Sequence, residues 1–298
     1  MCFMRCRTDL AMEAREIFSP AEGVGYSEEQ RGDVTITHVD VQNEVGANAI
    51  GKPVGKYVTL QMPPLTDSAF APDERFEAVT GEIAAMLPAE LASGDRLALI
   101  VGLGNRGITP DALGPRVAGQ VLATRHITEE LRRTAGFAGL RPTAVLAPGV
   151  LGQTGIEVIE LMRALCDRLN PSAVVVIDAM ASRRLSRLGC TVQVSDAGIS
   201  PGAGVGNNRP QIDKGALGVP VISIGVPTVV DAETLAADLI PEAKRGEFLD
   251  EVSPRGASMI VTPREIDLLV ERAARLLALS INSALHPDID PIDLLSAV

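Results

Sequence analysis

Two aspartates open the functional reading. Asp178 directly follows the apolar run Val174–Ile177, and Asp111 follows Pro110 in the loop after the apolar run Leu97–Val101. In sheets covered by helices, ligands and chemistry gather at the carboxyl ends of the strands. Two carboxylates brought close together cannot both ionise easily, so one keeps its proton. One then works as a base on water, the other as an acid toward a carbonyl or a leaving amine. Each position also has a plainer use. Asp178 suits the N-cap of a following short helix, and Asp111 suits a first helical turn. Position alone leaves both uses open.

Two glycine motifs compete for attention. Gly102-Leu103-Gly104-Asn105-Arg106-Gly107 matches GxGxxG after a strand, which suggests a dinucleotide site. That site needs the loop to run straight into a helix, and here Ile108-Thr109-Pro110-Asp111 intervenes, with Pro110 suited to a first helical position. An acidic residue ending the next strand is also missing, because Thr128-Glu129-Glu130 lies in a polar stretch. Gly198-Ile199-Ser200-Pro201-Gly202 matches GxSxG, but the residue after Ser must supply a backbone N–H to an oxyanion, and Pro201 has none.

The elements that must position these residues follow from periodicity. Val34–Val41 and Lys56–Met62 alternate apolar and polar residues and read as an antiparallel pair, with a short helix or turn between Asn43 and Gly51. From residue 73 helices alternate with short apolar strands. Helices are expected near 73–87, 112–124, 156–169, 232–240 and 263–285, and strands near 97–101, 143–146, 173–177, 191–194 and 219–224. Short strands apolar on both faces imply an α/β fold: a mostly parallel twisted sheet with helices on both faces, plus a small antiparallel addition. Residues 241–258, polar and punctuated by Gly and Pro, read as a mobile connection.

Composition excludes several classes. Lys and Arg number 27 against 38 Asp and Glu, a net charge of −11, which disfavours a direct grip on nucleic-acid phosphates. Aromatics are 3%, without Trp, so stacking platforms for bases are scarce. The 3 His, at 38, 126 and 286, rule out a His-rich metal centre. The 4 Cys form no CxxC pair, and Cys166 and Cys190 read as buried thiols of a reducing compartment. No apolar run is long enough to span a membrane.

Longer blocks carry a resemblance. VGLGNRGITPDALGP (101–115), TRH (124–126), APGVLGQTGIE (147–157) and VVIDAMASR (175–183) resemble the germination protease family of spore-forming bacteria. So do SDAGISPGAGVGN (195–207), GVPVISIGVPTVVDA (218–232), RTDLAMEA (7–14), GKPVGKYVTL (51–60) and VTPREIDLLVE (261–271). The resemblance implies an atypical aspartic endopeptidase that begins the degradation of small acid-soluble spore proteins at germination. It places the two catalytic residues at Asp111 and Asp178, the pair that strand-end position singles out. It also implies a fold similar to hydrogenase-maturation endopeptidases. Those use a His as a third metal ligand, and the corresponding strand here, Thr191–Ser195, has none, so hydrolysis is expected to need no metal and no cofactor.

Further expectations come with the family. Thr8-Asp9-Leu10-Ala11-Met12-Glu13 resembles the acidic–apolar site that the family cleaves, which suggests self-processing of a zymogen between Asp9 and Leu10. Residues 1–9 then form a short propeptide and 10–298 a single α/β peptidase domain. Gly102, Gly104, Asn105, Gly107 and Asp196 are candidates for the cleft lining, and His126 for a structural role. The implied partners are spore proteins and further copies of the chain in a homotetramer, with no nucleic acid or membrane. The implied location is the cytoplasm of the forespore or spore core. The alternatives are a metal-dependent maturation-type endopeptidase and a nucleotide-binding regulator using Gly102–Gly107.

Overall fold

A computed structural model of the chain describes residues 7–18, 21–67, 72–92, 96–128, 130, 139–206, 209–239 and 259–296. The strands are β1 (Val24–Arg31), β2 (Val34–Val41), β3 (Gly55–Gln61), β4 (Ala98–Gly102), β5 (Thr143–Leu146), β6 (Ala173–Ser182), β7 (Thr191–Ser195), β8 (Val221–Asp231) and β9 (Ile260–Val261). The helices are α1 (Ala11–Phe18), α2 (Glu44–Ile50), α3 (Glu74–Met86), α4 (Leu113–Ala118), α5 (Leu151–Thr154), α6 (Val158–Leu169), α7 (Lys214–Leu217), α8 (Ala232–Leu239), α9 (Ile266–Leu285) and α10 (Pro291–Ser296).

One sheet runs in the order β1-β2-β3-β7-β8-β6-β4-β5, with β9 paired to β8. Strands β5, β4, β6 and β8, from the β5 edge inward, are parallel, as the buried apolar runs predict. The antiparallel part is larger than the sequence suggests. β1 joins the β2–β3 pair, and β7 runs antiparallel to both β3 and β8, joining the two halves. β1 is missed because its burial pattern shows no inward-facing alternation: six of its eight residues, Tyr26 to Arg31, are exposed.

Side-chain alternation along the strands builds a core on each face. Val175 and Ile177 of β6 and Ile100 of β4 point to the layer formed by α3, α4 and α9. Val174, Val176, Leu99 and Val101 point the other way, to α6 and α7. On that second face the antiparallel half is covered by Leu10, α1 and α2. α9 carries apolar residues on most of its circumference because it is packed between the sheet, α3 and α4; Val270, Ala273, Ala274 and Leu277 are fully buried. Leu277→Ala would cost about 2–5 kcal/mol.

The ends of α4 and β6 differ from expectation. α4 stops at Ala118, well before residue 124, and Gly119 serves as its C-cap. β6 continues to Ser182 instead of ending at Ile177, because Ala179–Ser182 extend its ladder with β8 across a bulge at Met180/Ala181. Asp178 therefore sits within an extended strand and caps no helix. Residues 241–258, read as a mobile connection, lie outside the described residues.

Candidate active site

The site forms where β6 outlasts β4. β4 ends at Gly102, and Leu103 N–H still donates to the Ile177 carbonyl (2.8 Å). Beyond that point the chain folds back through the 3-10 turn Thr109–Asp111, which is tied to β8 by Thr228 Oγ1 donating to the Pro110 carbonyl (2.7 Å). The return requires glycine. A Cβ on Gly114 would lie 2.2 Å from the Leu103 carbonyl oxygen and 2.6 Å from that of Ile177. Gly104, at φ +112°, lies so close to the turn that a Cβ there would meet the Asp111 carbonyl oxygen at 2.0 Å.

This packing brings Asp111 and Asp178 to one cavity of about 320 Å³. Asp111 is half-buried, and Asn105 N–H donates to its Oδ2 (2.8 Å). Asp178 is 6% exposed, and Ala179 N–H donates to its Oδ1 (2.9 Å). Burial raises both carboxyl pKa values, and the Asn105 N–H opposes the rise at Asp111. At Asp178 the shift is larger, because the charges of Asp111 and then Asp9 add to burial and carry its pKa well above 3.8. Of the two, Asp178 is the one whose surroundings favour the protonated form more strongly.

Asp9 lines the same cavity. Its N–H donates to the Ala181 carbonyl (2.9 Å), and Ala181 N–H donates back to its Oδ2 (2.8 Å). Leu10 is fully buried, and Ala11 begins α1. The segment around the expected cleavage point thus lies beside the two aspartates, held on β6.

The remaining candidates divide. Gly104 lies on the cavity wall, whereas Gly102 packs beneath it against Gly114. Asn105 acts from behind, through its N–H to Asp111 and its Oδ1, which accepts from Gln153 Nε2 (2.8 Å). Gly107 is exposed and off the wall, because the loop carries it outward before turning back. Asp196 is also off the wall; its Oδ1 accepts from Lys56 N–H (2.7 Å) at the junction of β3 and β7. His126 is exposed, and Cys190, expected to be buried, is half-buried. Lys52, inside the GKPVGKYVTL block but given no role there, and Gln193 reach Asp9 from the antiparallel half.

The cavity's wall offers carboxylates, from Asp9, Asp111, Glu157 and Asp178, but no imidazole or thiolate among the described residues. Glu29, His38 and Glu82 do bring ligand atoms within 4.8 Å of one another, on β1, β2 and α3. Arg31 already serves both carboxylates there, at 2.7 Å from Glu29 and 3.7 Å from Glu82. The dinucleotide reading of Gly102–Gly107 meets a different obstacle, since Asp111 places a carboxylate on the loop's Asn105 N–H, where a phosphate would need a donor.

A family model described as germination protease matches residues 7–242. The chain belongs to that family. It is a peptidase of spore germination by this membership. It is 43% identical to a germination protease of Caldanaerobacter subterraneus subsp. tengcongensis, over 94% of each chain. It is 42% identical to one from Clostridium perfringens, over 95% of each. It is 33% identical to one from Priestia megaterium, over 95% of this chain and 94% of the other. A [NiFe] hydrogenase maturation protease, HycI from Thermococcus kodakarensis KOD1, covers 66% of this chain and 96% of its own at 20% identity, with a TM-score of 0.36. Among the described residues no helix is long and apolar enough to cross a membrane.

Proposed function

We propose that the chain is an aspartic-type endopeptidase that begins the degradation of small acid-soluble spore proteins and processes itself from a zymogen between Asp9 and Leu10. The observation that carries this reading is the meeting of Asp9, Asp111 and Asp178 at one cavity. Asp111, ionised, takes a proton from water as the water oxygen bonds to the scissile carbonyl carbon. Asp178 gives its proton to the carbonyl oxygen of a bond seated between the two aspartates; in the folded chain the Asp9 carbonyl is held instead by Lys52 and Gln193, so self-processing requires that it leave them. As the tetrahedral intermediate collapses, the C–N bond breaks, the amine leaves with a proton from Asp111, and the new hydroxyl oxygen returns its proton to Asp178. No step needs a metal.

Residues ahead of Leu10 are the propeptide in this reading, and residues 10–298 form one peptidase domain. The shared sheet and its continuous cores support the single unit. Assembly as a homotetramer and a place in the forespore or spore core follow from the family resemblance. Incubation of a purified spore-coat protein with the wild-type chain and with Asp111→Asn tests the whole reading. Cleavage by the wild type and none by the variant are expected; equal cleavage by both overturns the aspartate mechanism.

A further inference from the structure

We propose that the backbone N–H groups of Ala181 and Gly204, with the charge of Lys52 beside them, read an acidic side chain on the amino side of the bond to be cut, while Lys52 and Gln193 hold the carbonyl of that residue, first in self-processing and then in substrates. The proposal rests on the peptidase reading above and assigns its specificity to residues on the opposite half of the sheet.

Asp9 is met by these groups at its carboxylate and at its carbonyl. Its carboxylate accepts from Ala181 N–H at 2.8 Å and from the N–H of Gly204. Its carbonyl accepts from Lys52 Nζ at 3.0 Å and Gln193 Nε2 at 3.2 Å, and its own N–H donates to the Ala181 carbonyl. Lys52 Nζ also donates to the Thr8 carbonyl at 2.9 Å. Gln193 uses its other end as well, its Oε1 accepting from Ala11 N–H at 2.8 Å, so one side chain fixes the backbone on both sides of Leu10.

The donors select for charge. Two backbone N–H groups and a half-buried ammonium suit an anionic acceptor. An amide in its place turns an NH₂ group toward donors, and a cation faces Lys52 directly. A further cavity of about 110 Å³ adjoins Asp9 on the side of Lys52 and Gln193 and is lined by them with Tyr57 and Met180.

Removal of the residues ahead of Leu10 empties this cradle. Lys52 then loses both of its carbonyl partners, Thr8 and Asp9, and its charge, already disfavoured by burial, faces an open pocket. A substrate backbone seated there restores the carbonyl bonds to Lys52, and an acidic side chain restores the bonds from the Ala181 and Gly204 N–H groups. The segment that blocks the pocket and the substrate that follows it use the same donors.

The test uses three synthetic peptides spanning the sequence of residues 7–14, carrying Glu, Gln or Lys at the position of Asp9. Wild-type chain should cleave the Glu peptide about 10–100-fold more efficiently in kcat/KM than the Gln peptide, the range expected of hydrogen bonds to a charged group. Lys52→Met should bring the two within about threefold by lowering only the Glu value, and Lys52→Arg should restore most of the preference. Gly204→Ala, whose Cβ would fall 2.2 Å from the Asp9 carboxylate, should lose the preference without touching Lys52. This second variant decides the question if Lys52→Met does not fold. A Lys52→Met or Gly204→Ala chain that keeps the wild-type preference overturns the pocket. A wild type that cleaves all three peptides equally does the same, while leaving the peptidase reading intact. A wild type that cleaves none overturns both.

Discussion

Gly104 and Asp111 meet backbone to backbone: a Cβ built on Gly104 falls 2.0 Å from the Asp111 carbonyl oxygen, at a φ of +112° that side chains avoid. The contact seats the Asp111 turn over the end of β4. Gly104→Ala must shift that turn, at about 1–3 kcal/mol of backbone strain. Displacing a reacting group by about 1 Å costs on the order of 10²-fold in rate. Gly104→Ala is expected to fold and to lose roughly that much kcat. Gly107→Ala is the control, since its Cβ would meet only Asn105 Oδ1, at 3.3 Å. It should stay within about 0.5 kcal/mol of wild type and remain active. Peptide cleavage assays with thermal unfolding check both, and a fully active Gly104→Ala would show that the contact does not position Asp111.

Asp178 gives a pH signature. Burial, then the charges of Asp111 and Asp9, hold its carboxyl well above 3.8 in the folded chain. Above 3.8 the unfolded chain has released a proton that the folded chain still binds, so this group's contribution is fully present at low pH and is lost as pH rises through the folded value. Asp178→Asn cannot ionise and escapes that loss. Its melting temperature should exceed that of wild type by an amount that grows from pH 3.8 upward, at roughly 2–4 °C per kcal/mol for a chain of this size. The same variant should lose cleavage by about 10²–10⁴-fold. Parallel stability profiles from pH 3 to 8 would mean that Asp178 carries no such proton.

Which parts of this site were legible in the sequence depends on what placed them. The β4 and β6 cores were readable because strands buried on both faces appear as unbroken apolar runs, Leu99–Val101 and Val174–Ile177. Asp178 stands at the end of the second run and Asp111 in the loop after the first, so both were candidates, though position alone left a capping use open. The continuation of β6 was not, because Asp178-Ala179-Met180-Ala181-Ser182 has no strand-like composition and is held extended by β8 and by Asp9. Lys52 and Gln193 were invisible for a related reason. They lie in the turn between α2 and β3 and in β7, and the antiparallel order β3-β7-β8 carries them to Asp9. Gly114 looked like an ordinary helix residue; its need is set by Leu103 and Ile177, which local pattern cannot report.

The chemistry of the cavity predicts indifference to chelators. Asp9, Asp111 and Asp178 supply oxygen donors without imidazole or thiolate support, a weak set for a transition metal. Exhaustive treatment with a chelator is expected to leave peptide cleavage within about twofold of the untreated rate, by the precision of such assays rather than by any metal's contribution. His38→Ala, at the Glu29–His38–Glu82 cluster on the far antiparallel part of the sheet, should leave it unchanged too. Loss of activity on chelation with recovery on adding zinc would move the mechanism to metal-assisted hydrolysis.

The anchoring of α1 yields the last prediction. Glu13 is fully buried, and its carboxylate accepts from the N–H groups of Arg183 (2.7 Å) and Arg184 (3.0 Å). Arg187 meets it at 3.1 Å, and Thr8 donates its hydroxyl to the same carboxylate. Arg187 also reaches Glu16, so one guanidinium ties two turns of α1 to the end of β6. Removing Arg187 leaves Glu13 buried beside two N–H donors but without its counter-charge. Arg187→Ala should therefore destabilise the chain by about 3–5 kcal/mol. Glu13→Gln, which keeps the shape and one acceptor, should cost about 1–3 kcal/mol. Because Thr8 and Asp9 hang from this cluster on one side and from Ala181 on the other, Arg187→Ala should also slow cleavage between Asp9 and Leu10 more than cleavage of an added peptide. Urea unfolding together with N-terminal sequencing over time separates the two effects. A variant that is destabilised yet self-processes at the wild-type rate would show that α1 anchors the fold without presenting the segment to the aspartates.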